Sequence, residues 1–452
     1  MVTGTRLGLV GVMALGAACG STPGNAADAR DLPQVDAASA VDAAPATPDA
    51  SGTCASGPSG VPCVMALYDR VVTSCDAGEL AALKLALDER RGTWPLWHAG
   101  RALFASDRAI GIAGEFNGWK TDALATAELC QSGLFTAMAP VATGRWPYKL
   151  VDGPDWSLDP QNWGFAYDDF EGNHDGRNSI LDTYDSGLGH LVQPPDPVCS
   201  TALGNCRPLT TYLPAGYDDP AKGAKTYPVL FMHDGQNIYD DHTCCFGHTG
   251  WEINVQLDAD IKAGLVAPVV VVGADHGGDA RIDEYGYSTA VGGKMETFMA
   301  FQVETIQPTA KTYWRIDLDR AYVAGSSLGG LVSMRLALAY PGTYRGAASL
   351  SGAFWPGQDT HTALTDVLGT VGRVPVGMYL DHGGDPAQNT DGAADSDAVR
   401  AQMVGLGWTK QDSASCTFAA DHVCSYYEPG ATHDELAWKA RSWRFLRYFF
   451  GT

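Results

Sequence analysis

A serine flanked by glycines carries the clearest chemical signature in this chain. The stretch GSSLG at 325–329 fits the pattern G-x-S-x-G with Ser327 in the middle, whereas the frame around Ser326 begins at Ala324 and does not fit. In this pattern the serine lies on a tight turn between a strand and a helix, and glycines are needed because Cβ atoms would clash there. A serine held in this way can attack a carbonyl carbon when a base accepts its proton.

A serine nucleophile requires a histidine, and where this motif forms a turn between a strand and a helix in an α/β fold, the triad is ordered as serine, acid, histidine. Two histidines, His422 and His433, follow the strand-like segment VPVGMYLDHG and its loop. His422 lies between two cysteines at a predicted hairpin tip, which is typical of an exposed turn residue. His433 precedes the helical segment DELAWKARSWRFLRYFF, where Thr432 and Glu435 fit a T-x-x-E capping box. The sequence therefore predicts His433 as the general base.

The acid of the triad should follow the penultimate strand, where two aspartates compete. Asp381 continues the strand, whereas Asp385 lies in the loop beyond two glycines and can turn toward His433. A carboxylate on the imidazole Nδ1 fixes the tautomer and stabilises the imidazolium. We predict Asp385 as the acid, with Asp381 as the alternative.

An oxyanion formed by this attack needs two backbone N–H donors. One should come from Leu328, the residue after the nucleophile. The second should come from a loop after an early strand, and HDGQNIYDD follows the strand-like YPVLFM at that place. Gly235 and Gln236 are the candidates in that loop.

The elements around these residues predict an α/β domain over 195–452. Near-continuous apolar runs such as YPVLFMHDG, APVVVVGADHG and GAASLSGAF alternate with helical stretches. Strands that are buried on both faces have this composition, which indicates a mostly parallel sheet with helices on both faces. The apolar run RAYVAG precedes GSSLG, and the helical GGLVSMRLALAYP overlaps its end, so the motif has the strand–turn–helix context that it requires.

Several segments together resemble the putative-esterase family of α/β-hydrolases, which includes enterochelin esterases, feruloyl esterases, esterase D and mycolyltransferases. The segments are VLFMHDGQN, RIDEY, AYVAGSSLGGLVSMRLALAYP, SLSGAFW, YLDHGGD and GATHDELAWKARSWRFLRYFF, within about 207–450. The resemblance implies an α/β-hydrolase fold, esterase activity and a triad of Ser327, Asp385 and His433. The family often places its acid as G-x-x-D or G-x-x-E, and Asp385 comes one residue early when counted from Gly383.

Short strand-like segments separated by turns predict a small immunoglobulin-like β-sandwich over 94–186, after a short helical segment at 58–93. AGEFNGWK, RWPYKLVDGPDWSLDPQN and GNHDGRNSIL resemble the early-set domain of isoamylases and the glycogen-binding domain of the AMP-activated kinase β subunit. The resemblance implies either packing against the hydrolase or sugar binding. The sugar-binding candidates are Trp119, Lys149, Trp156 and Asn178.

The N-terminus predicts export. Arg6 followed by LGLVGVMALGAA predicts a signal peptide over 1–18, and GAAC resembles a bacterial lipoprotein signal that makes Cys19 the lipidated residue. Gly16 departs from the leucine usual in such signals, and the alternative is an ordinary secretory signal cut nearby. Residues 19–57, rich in Ala, Asp and Pro, predict a disordered linker. The other ten cysteines form an even set, as expected for disulfides in an exported protein, and Cys199/Cys206 and Cys416/Cys424 are close enough to close small loops.

The net charge of −22 argues against nucleic-acid binding. HTCCFGH and DPAQNTDGAADSD are discounted as zinc and calcium sites, so we expect no metal or cofactor. We predict an exported serine esterase, lipid-anchored in the cell envelope or extracellular, that hydrolyses feruloyl or acetyl esters of polysaccharide. The alternatives are a siderophore trilactone esterase, a sugar acyltransferase and a non-catalytic glycan-binding lipoprotein.

Overall fold

The computed structural model describes residues 54–167, 176–241, 244–245, 250–286, 293–354, 364–412 and 416–452. The predicted signal peptide and Cys19 lie outside these residues. The strands are β1 (Leu96–His98), β2 (Arg101–Ser106), β3 (Gly111–Gly114), β4 (Ala127–Glu128), β5 (Phe135–Pro140), β6 (Arg145–Asp152), β7 (Asp155–Ser157), β8 (Gly164–Tyr167), β9 (Arg177–Asp182), β10 (His190–Val192), β11 (Val198–Ser200), β12 (Asn205–Arg207), β13 (Leu209–Leu213), β14 (Tyr227–His233), β15 (Val270–Ala274), β16 (Ile316–Ser326), β17 (Tyr344–Leu350), β18 (Gly377–His382), β19 (Thr409–Asp412) and β20 (His422–Tyr427).

The α-helices are α1 (Val61–Ser74), α2 (Ala77–Asp88), α3 (Ile253–Lys262), α4 (Arg281–Tyr285), α5 (Met295–Phe301), α6 (Gln307–Tyr313), α7 (Leu328–Ala339), α8 (Leu364–Val371), α9 (Ala393–Gly405) and α10 (Glu435–Phe450). No helix within the described residues is long and apolar enough to cross a bilayer.

The C-terminal part of the chain is an α/β-hydrolase with a mostly parallel sheet, as predicted. The strand order is β19-β20-β18-β17-β16-β14-β15-β13, and every neighbouring pair is parallel except β15 with β13. Because strand side chains alternate between faces, Val229 and Phe231 of β14 enter one hydrophobic core, whereas Leu230 and Met232 enter the other. The two cores account for the near-continuous apolar runs in the sequence.

Helices cover both faces of this sheet. The core that contains Val229 is completed by α5, α7, α8 and α9, and the core that contains Leu230 is completed by α3 and α10. The carboxyl ends of β14, β16, β17 and β18 therefore meet at one edge of a sheet that is closed on both sides, which is where α/β folds place their sites.

Antiparallel strands before this sheet form two layers whose side chains share one hydrophobic core, the arrangement expected of the predicted β-sandwich. One layer has the order β1-β2-β5-β4. The other layer, β10-β8-β9-β6-β3, joins the hydrolase sheet because β10 pairs with β13, Leu191 lying opposite Tyr212. The sequence did not predict this continuity, which fixes the sandwich to the hydrolase through backbone hydrogen bonds.

Five disulfides pair the ten cysteines after Cys19. Cys199–Cys206 and Cys416–Cys424 agree with the pairs suggested by spacing. Cys54 is buried and bonded to Cys63, so the folded region includes residues 54–57, which the composition had predicted as linker. The remaining bonds are Cys75–Cys130 and Cys244–Cys245.

Candidate active site

Ser327 occupies a sharp turn between β16 and α7. Its backbone has φ 53° and ψ −124°, a conformation that non-glycine residues rarely adopt and that persists where surrounding structure enforces it. A Cβ atom on Gly325 would lie 2.6 Å from the carbonyl carbon of Gly329, so the strand and helix can approach this closely only without a side chain there. Ser326 is buried at the end of β16, whereas Ser327 is partly exposed, as the motif predicts for the nucleophile.

The segment after β17 holds the turn from one side. The N–H of Ser327 donates to the carbonyl of Leu350 at 3.0 Å, and the carbonyl of Ser327 accepts from the N–H of Ala353 at 3.0 Å. These bonds tie the turn to the neighbouring strand end.

His433 lies immediately before α10 and contacts a carboxylate. Its Nδ1 is 2.5 Å from Oδ1 of Asp391, and its ring packs edge-on against Trp438 with centroids 5.1 Å apart. The helix cap differs from the predicted Thr432/Glu435 box: Asp434 is the N-cap and accepts from the N–H of Ala437 at 2.9 Å. The prediction of a rigid helix start after His433 is correct, but the capping residue was wrong.

The carboxylate that faces His433 is Asp391, and the prediction of Asp385 in that role was wrong. Asp385 turns back onto its own loop, where it accepts from the N–H of Ala387 at 2.8 Å and from Nε2 of Gln388 at 2.9 Å. The alternative, Asp381, is buried in β18 and pairs with Arg441 at 3.2 Å. Neither carboxylate hydrogen-bonds to the imidazole.

Asp391 is set up to stay ionised. Its side chain is 2% exposed, and Oδ2 accepts from the hydroxyl of Ser351 at 2.7 Å and from the N–H of Gly383. Burial alone would raise the pKa of this carboxyl, but the hydrogen bonds from His433, Ser351 and Gly383 outweigh burial and hold the pKa below its ordinary value. Asp391 itself has φ 58°, and the loop of 383–392 contains further left-handed residues, so no strand or helix pattern marked it.

The loop after β14, which contains the oxyanion-hole candidates Gly235 and Gln236, lies near the start of α7, since a Cβ atom on Gly329 would lie 3.3 Å from Cβ of His233. A short 3₁₀ turn covers Gly235–Asn237, and a Cβ atom on Gly235 would lie 2.6 Å from the carbonyl carbon of Gly273 in β15. Oε1 of Gln236 accepts from the N–H of His276 at 3.2 Å. The first N–H groups of α7, including that of Leu328, have no acceptor within the helix and can bind an anion.

An ion pair that sequence reasoning missed anchors this loop. Arg281 of α4 donates from Nε and Nη2 to the two carboxylate oxygens of Asp234, at 2.7 and 2.8 Å. Asp234 has φ 58°, and a Cβ atom on Gly329 would lie 3.0 Å from its Oδ2. At the other end of the loop, Asn237 Nδ2 donates to Glu435 at 3.3 Å. The loop is therefore fixed to α4, α7 and α10.

The four predicted sugar contacts separate into two groups. Trp119 and Trp156 are 36% and 45% exposed, with ring centroids 6.2 Å apart. Lys149 of β6 and Asn178 of β9 are buried, and sugar contact by these two side chains stays a prediction. An exposed tryptophan pair is what the sandwich presents.

Among the described residues, no group of three or more His, Cys, Asp or Glu side chains could hold a metal ion. In the segment HTCCFGH, Cys244 and Cys245 are bonded to each other, and His242 and His248 lie outside the described residues.

Comparison with known proteins identifies the family. The family model described as putative esterase matches residues 200–443. The chain is 23% identical over 245 residues to the uncharacterized protein YbbA of Bacillus subtilis (strain 168), a match that covers 51% of this chain and 86% of YbbA. Among solved structures, a ferulic acid esterase is 16% identical with a TM-score of 0.43, covering 58% of this chain and 98% of that protein. The ferric enterobactin esterase of Salmonella typhimurium is 14% identical with a TM-score of 0.43, covering 77% of this chain and 93% of that protein. Because the family model spans more than half of the sequence, the chain belongs to the putative esterase family and is an esterase.

Proposed function

We propose that this esterase is a serine hydrolase in which Ser327, His433 and Asp391 form the catalytic triad. The observation that carries the proposal is the 2.5 Å contact between His433 Nδ1 and a buried carboxylate, in a fold that places Ser327 on a strained turn at the same sheet edge. Among the described residues no hydrogen bond joins Ser327 to His433, and such contacts often tighten only when substrate binds.

The reaction proceeds through an acyl-enzyme. Ser327 Oγ attacks the ester carbonyl carbon while His433 Nε2 takes the hydroxyl proton, and the backbone N–H groups of Leu328 and Gln236 hold the oxyanion. The C–O bond to the alcohol then breaks, and His433 returns the proton to the leaving oxygen. Water attacks the acyl-enzyme by the same route, which releases the carboxylic acid and restores Ser327. Asp391 keeps the Nδ1–H tautomer throughout.

Ser327→Ala tests the triad directly. We expect hydrolysis of p-nitrophenyl acetate to fall by at least about 10³-fold with unchanged circular dichroism, and labelling by a fluorophosphonate probe to be lost. Ser326→Ala is the matched control, because it removes the adjacent hydroxyl and should keep activity. Full activity of Ser327→Ala would end the proposal.

We further propose that the substrate is an ester carried on polysaccharide. The support is the exposed pair Trp119 and Trp156, since aromatic faces stack on sugar rings and a paired exposed apolar surface of this kind is uncommon without a partner. Because the sandwich layer continues into the hydrolase sheet through β10 and β13, a chain bound at this pair would keep a fixed position relative to Ser327.

The double variant Trp119→Ala/Trp156→Ala tests the substrate. We expect about tenfold slower release of feruloyl or acetyl groups from polysaccharide, with unchanged hydrolysis of p-nitrophenyl acetate. Leu85→Ala, which removes a 54% exposed apolar side chain elsewhere, is the control. Equal rates of the double variant and the control on polysaccharide would refute sugar binding at this pair. A catecholate trilactone in the same panel tests the siderophore alternative.

Export and lipid anchoring at Cys19 complete the proposal. The five disulfides support an oxidising compartment. We expect mass spectrometry of the N-terminal peptide to show a lipidated Cys19, and Cys19→Ser to release the protein from the membrane fraction. An unmodified Cys19 in the mature protein would exclude the anchor.

A further inference from the structure

A buried polar cluster lies directly behind the carboxylate of Asp391. Ser351 follows β17, Arg441 comes from α10 and Asp381 from β18, and each is at most 1% exposed. Nη2 of Arg441 donates to Ser351 Oγ at 2.9 Å and lies 3.2 Å from Asp381 Oδ1. Ser351 Oγ in turn lies 2.7 Å from Asp391 Oδ2. The contacts therefore run without a break from Asp381 to His433.

The chemistry of these groups fixes the direction of the central hydrogen bond. A guanidinium has only donors, so Ser351 Oγ must accept from Arg441. The hydroxyl has a single proton, and the carboxylate of Asp391 can only accept. Ser351 therefore donates to Asp391 Oδ2, and with Gly383 donating to the same oxygen, Oδ1 is the oxygen that faces His433.

The backbone at Ser351 is strained in the manner typical of functional positions. Ser351 has φ 47°, and its N–H donates to the carbonyl of Asp381 at 2.8 Å. Non-glycine residues in the left-handed region are strained, and such residues cluster at active sites. This conformation directs the Ser351 hydroxyl between Arg441 and Asp391.

The charges of the cluster match the needs of the reaction. Arg441, Asp381 and Asp391 together carry one net negative charge when all three are ionised, and a proton on His433 brings the total to zero. Among the described residues, the hydroxyl of Tyr379 also faces the cluster and donates to Asp381 at 3.0 Å, and the charge of Arg444 acts on Tyr379. A buried cluster that becomes neutral when the imidazolium forms favours that state.

We propose that Ser351 and Arg441 are positioning residues of the esterase reaction: Arg441 orients the hydroxyl of Ser351, which holds the carboxylate of Asp391 ionised and aimed at His433. This inference rests on the proposed triad. It assigns no contact with substrate to either residue.

Ser351→Ala is the decisive variant, because it removes only the hydroxyl. We expect kcat to fall about tenfold with KM within about twofold, since a hydrogen bond to a charged group is lost and no substrate contact changes. We also expect the acidic limb of the kcat/KM profile to move to higher pH, because the imidazolium of His433 would then face a less neutralised carboxylate. Ser349→Ala is the matched control, because Ser349 is a buried serine of β17, two residues before Ser351, whose hydroxyl has no hydrogen-bond partner among the described residues.

Arg441 is tested by charge-conserving and charge-balanced changes. Both of its contacts use Nη2, so an ammonium can replace them, and we expect Arg441→Lys to keep kcat within about threefold. The double variant Arg441→Met/Asp381→Asn avoids an unpaired buried charge and should reproduce the Ser351→Ala effects. If Ser351→Ala matches Ser349→Ala in kcat and pH profile while Ser327→Ala is inactive, the positioning role is refuted and the triad stands. Activity in Ser327→Ala would instead refute the triad itself.

Discussion

Asp391→Asn tests the proposed acid against the two aspartates favoured by the sequence. In the folded protein Oδ2 of Asp391 accepts two donors, from Ser351 and Gly383, and Oδ1 faces His433 Nδ1. An asparagine can keep its oxygen toward the two donors only by turning its NH₂ group toward His433. The imidazole must then accept at Nδ1 and carry its proton on Nε2, the atom that should receive the proton of Ser327.

The opposite orientation of the amide is worse. It would place the NH₂ group against the backbone N–H of Gly383, a donor that cannot turn away, and it would leave the Ser351 hydroxyl without its acceptor. The wrong tautomer should therefore dominate. We expect a loss of about 10³–10⁴-fold in kcat, or about 4–5 kcal/mol in the activation barrier, with the fold retained.

Asp385→Asn is the matched control, since it makes the same chemical change six residues away in the same loop. Its acceptor role toward the Ala387 N–H can be kept by the amide oxygen, so we expect activity within about twofold of the wild type. The assay is steady-state hydrolysis of p-nitrophenyl acetate, with active sites counted by the burst of p-nitrophenol. A large loss in Asp385→Asn with little loss in Asp391→Asn would show that the loop rearranges in solution and would refute this reasoning.

Two further predictions concern the oxyanion loop and the domain junction. Arg281→Met removes both donors from Asp234 and should lower kcat at least about tenfold with little change in KM. The control Arg320→Met breaks an ion pair with Asp317 and should leave kcat unchanged. Equal kcat values for the two variants would show that the loop needs no anchor. At the junction, His190 lies 3.3 Å from Asp182 and 3.4 Å from Asp218. Burial lowers the pKa of His190, but the hydrogen bond with Asp182 and the charge of Asp218 outweigh it and raise the pKa above its ordinary value. A raised folded-state pKa stabilises the fold fully below about pH 6.5, the ordinary histidine pKa, and this contribution is lost as pH rises through the folded-state pKa. Urea unfolding should therefore show a larger deficit in free energy of unfolding for His190→Gln at about pH 6 than at about pH 8.5, and the reverse order would contradict the pairing.

The hydrolase sheet was predictable because its determinants are local. YPVLFMHDG became β14, and GAASLSGAF became β17, since residues that alternate between two cores must be apolar at successive positions. The turn at Ser327 was predictable for the same reason, because the glycines that permit it are its immediate neighbours. His433 was located by order along the chain and by the helix that follows.

The junction with the sandwich and the packing around the acid were not predictable because they depend on distant partners. Nothing in the short strand β10 specifies that it pairs with β13 on one edge and β8 on the other. Similarly, Ser351 and Arg441 are 90 positions apart in the sequence and acquire their roles only when β17 and α10 pack together.

Asp381, Asp385 and Asp391 differ in a physical property of a triad acid that their spacing in the sequence does not reveal. A triad acid must keep an ionised oxygen free for the imidazole while its other oxygen is satisfied away from water. Asp381 is buried, but its charge is paired with Arg441, and Asp385 uses both oxygens within its own loop. Asp391 alone among these three has one oxygen held by protein donors and the other directed at His433. The proposed roles of Ser351 and Arg441 follow from the same requirement, because without the Ser351 hydroxyl, Oδ2 of Asp391 would keep only the N–H of Gly383 as a donor.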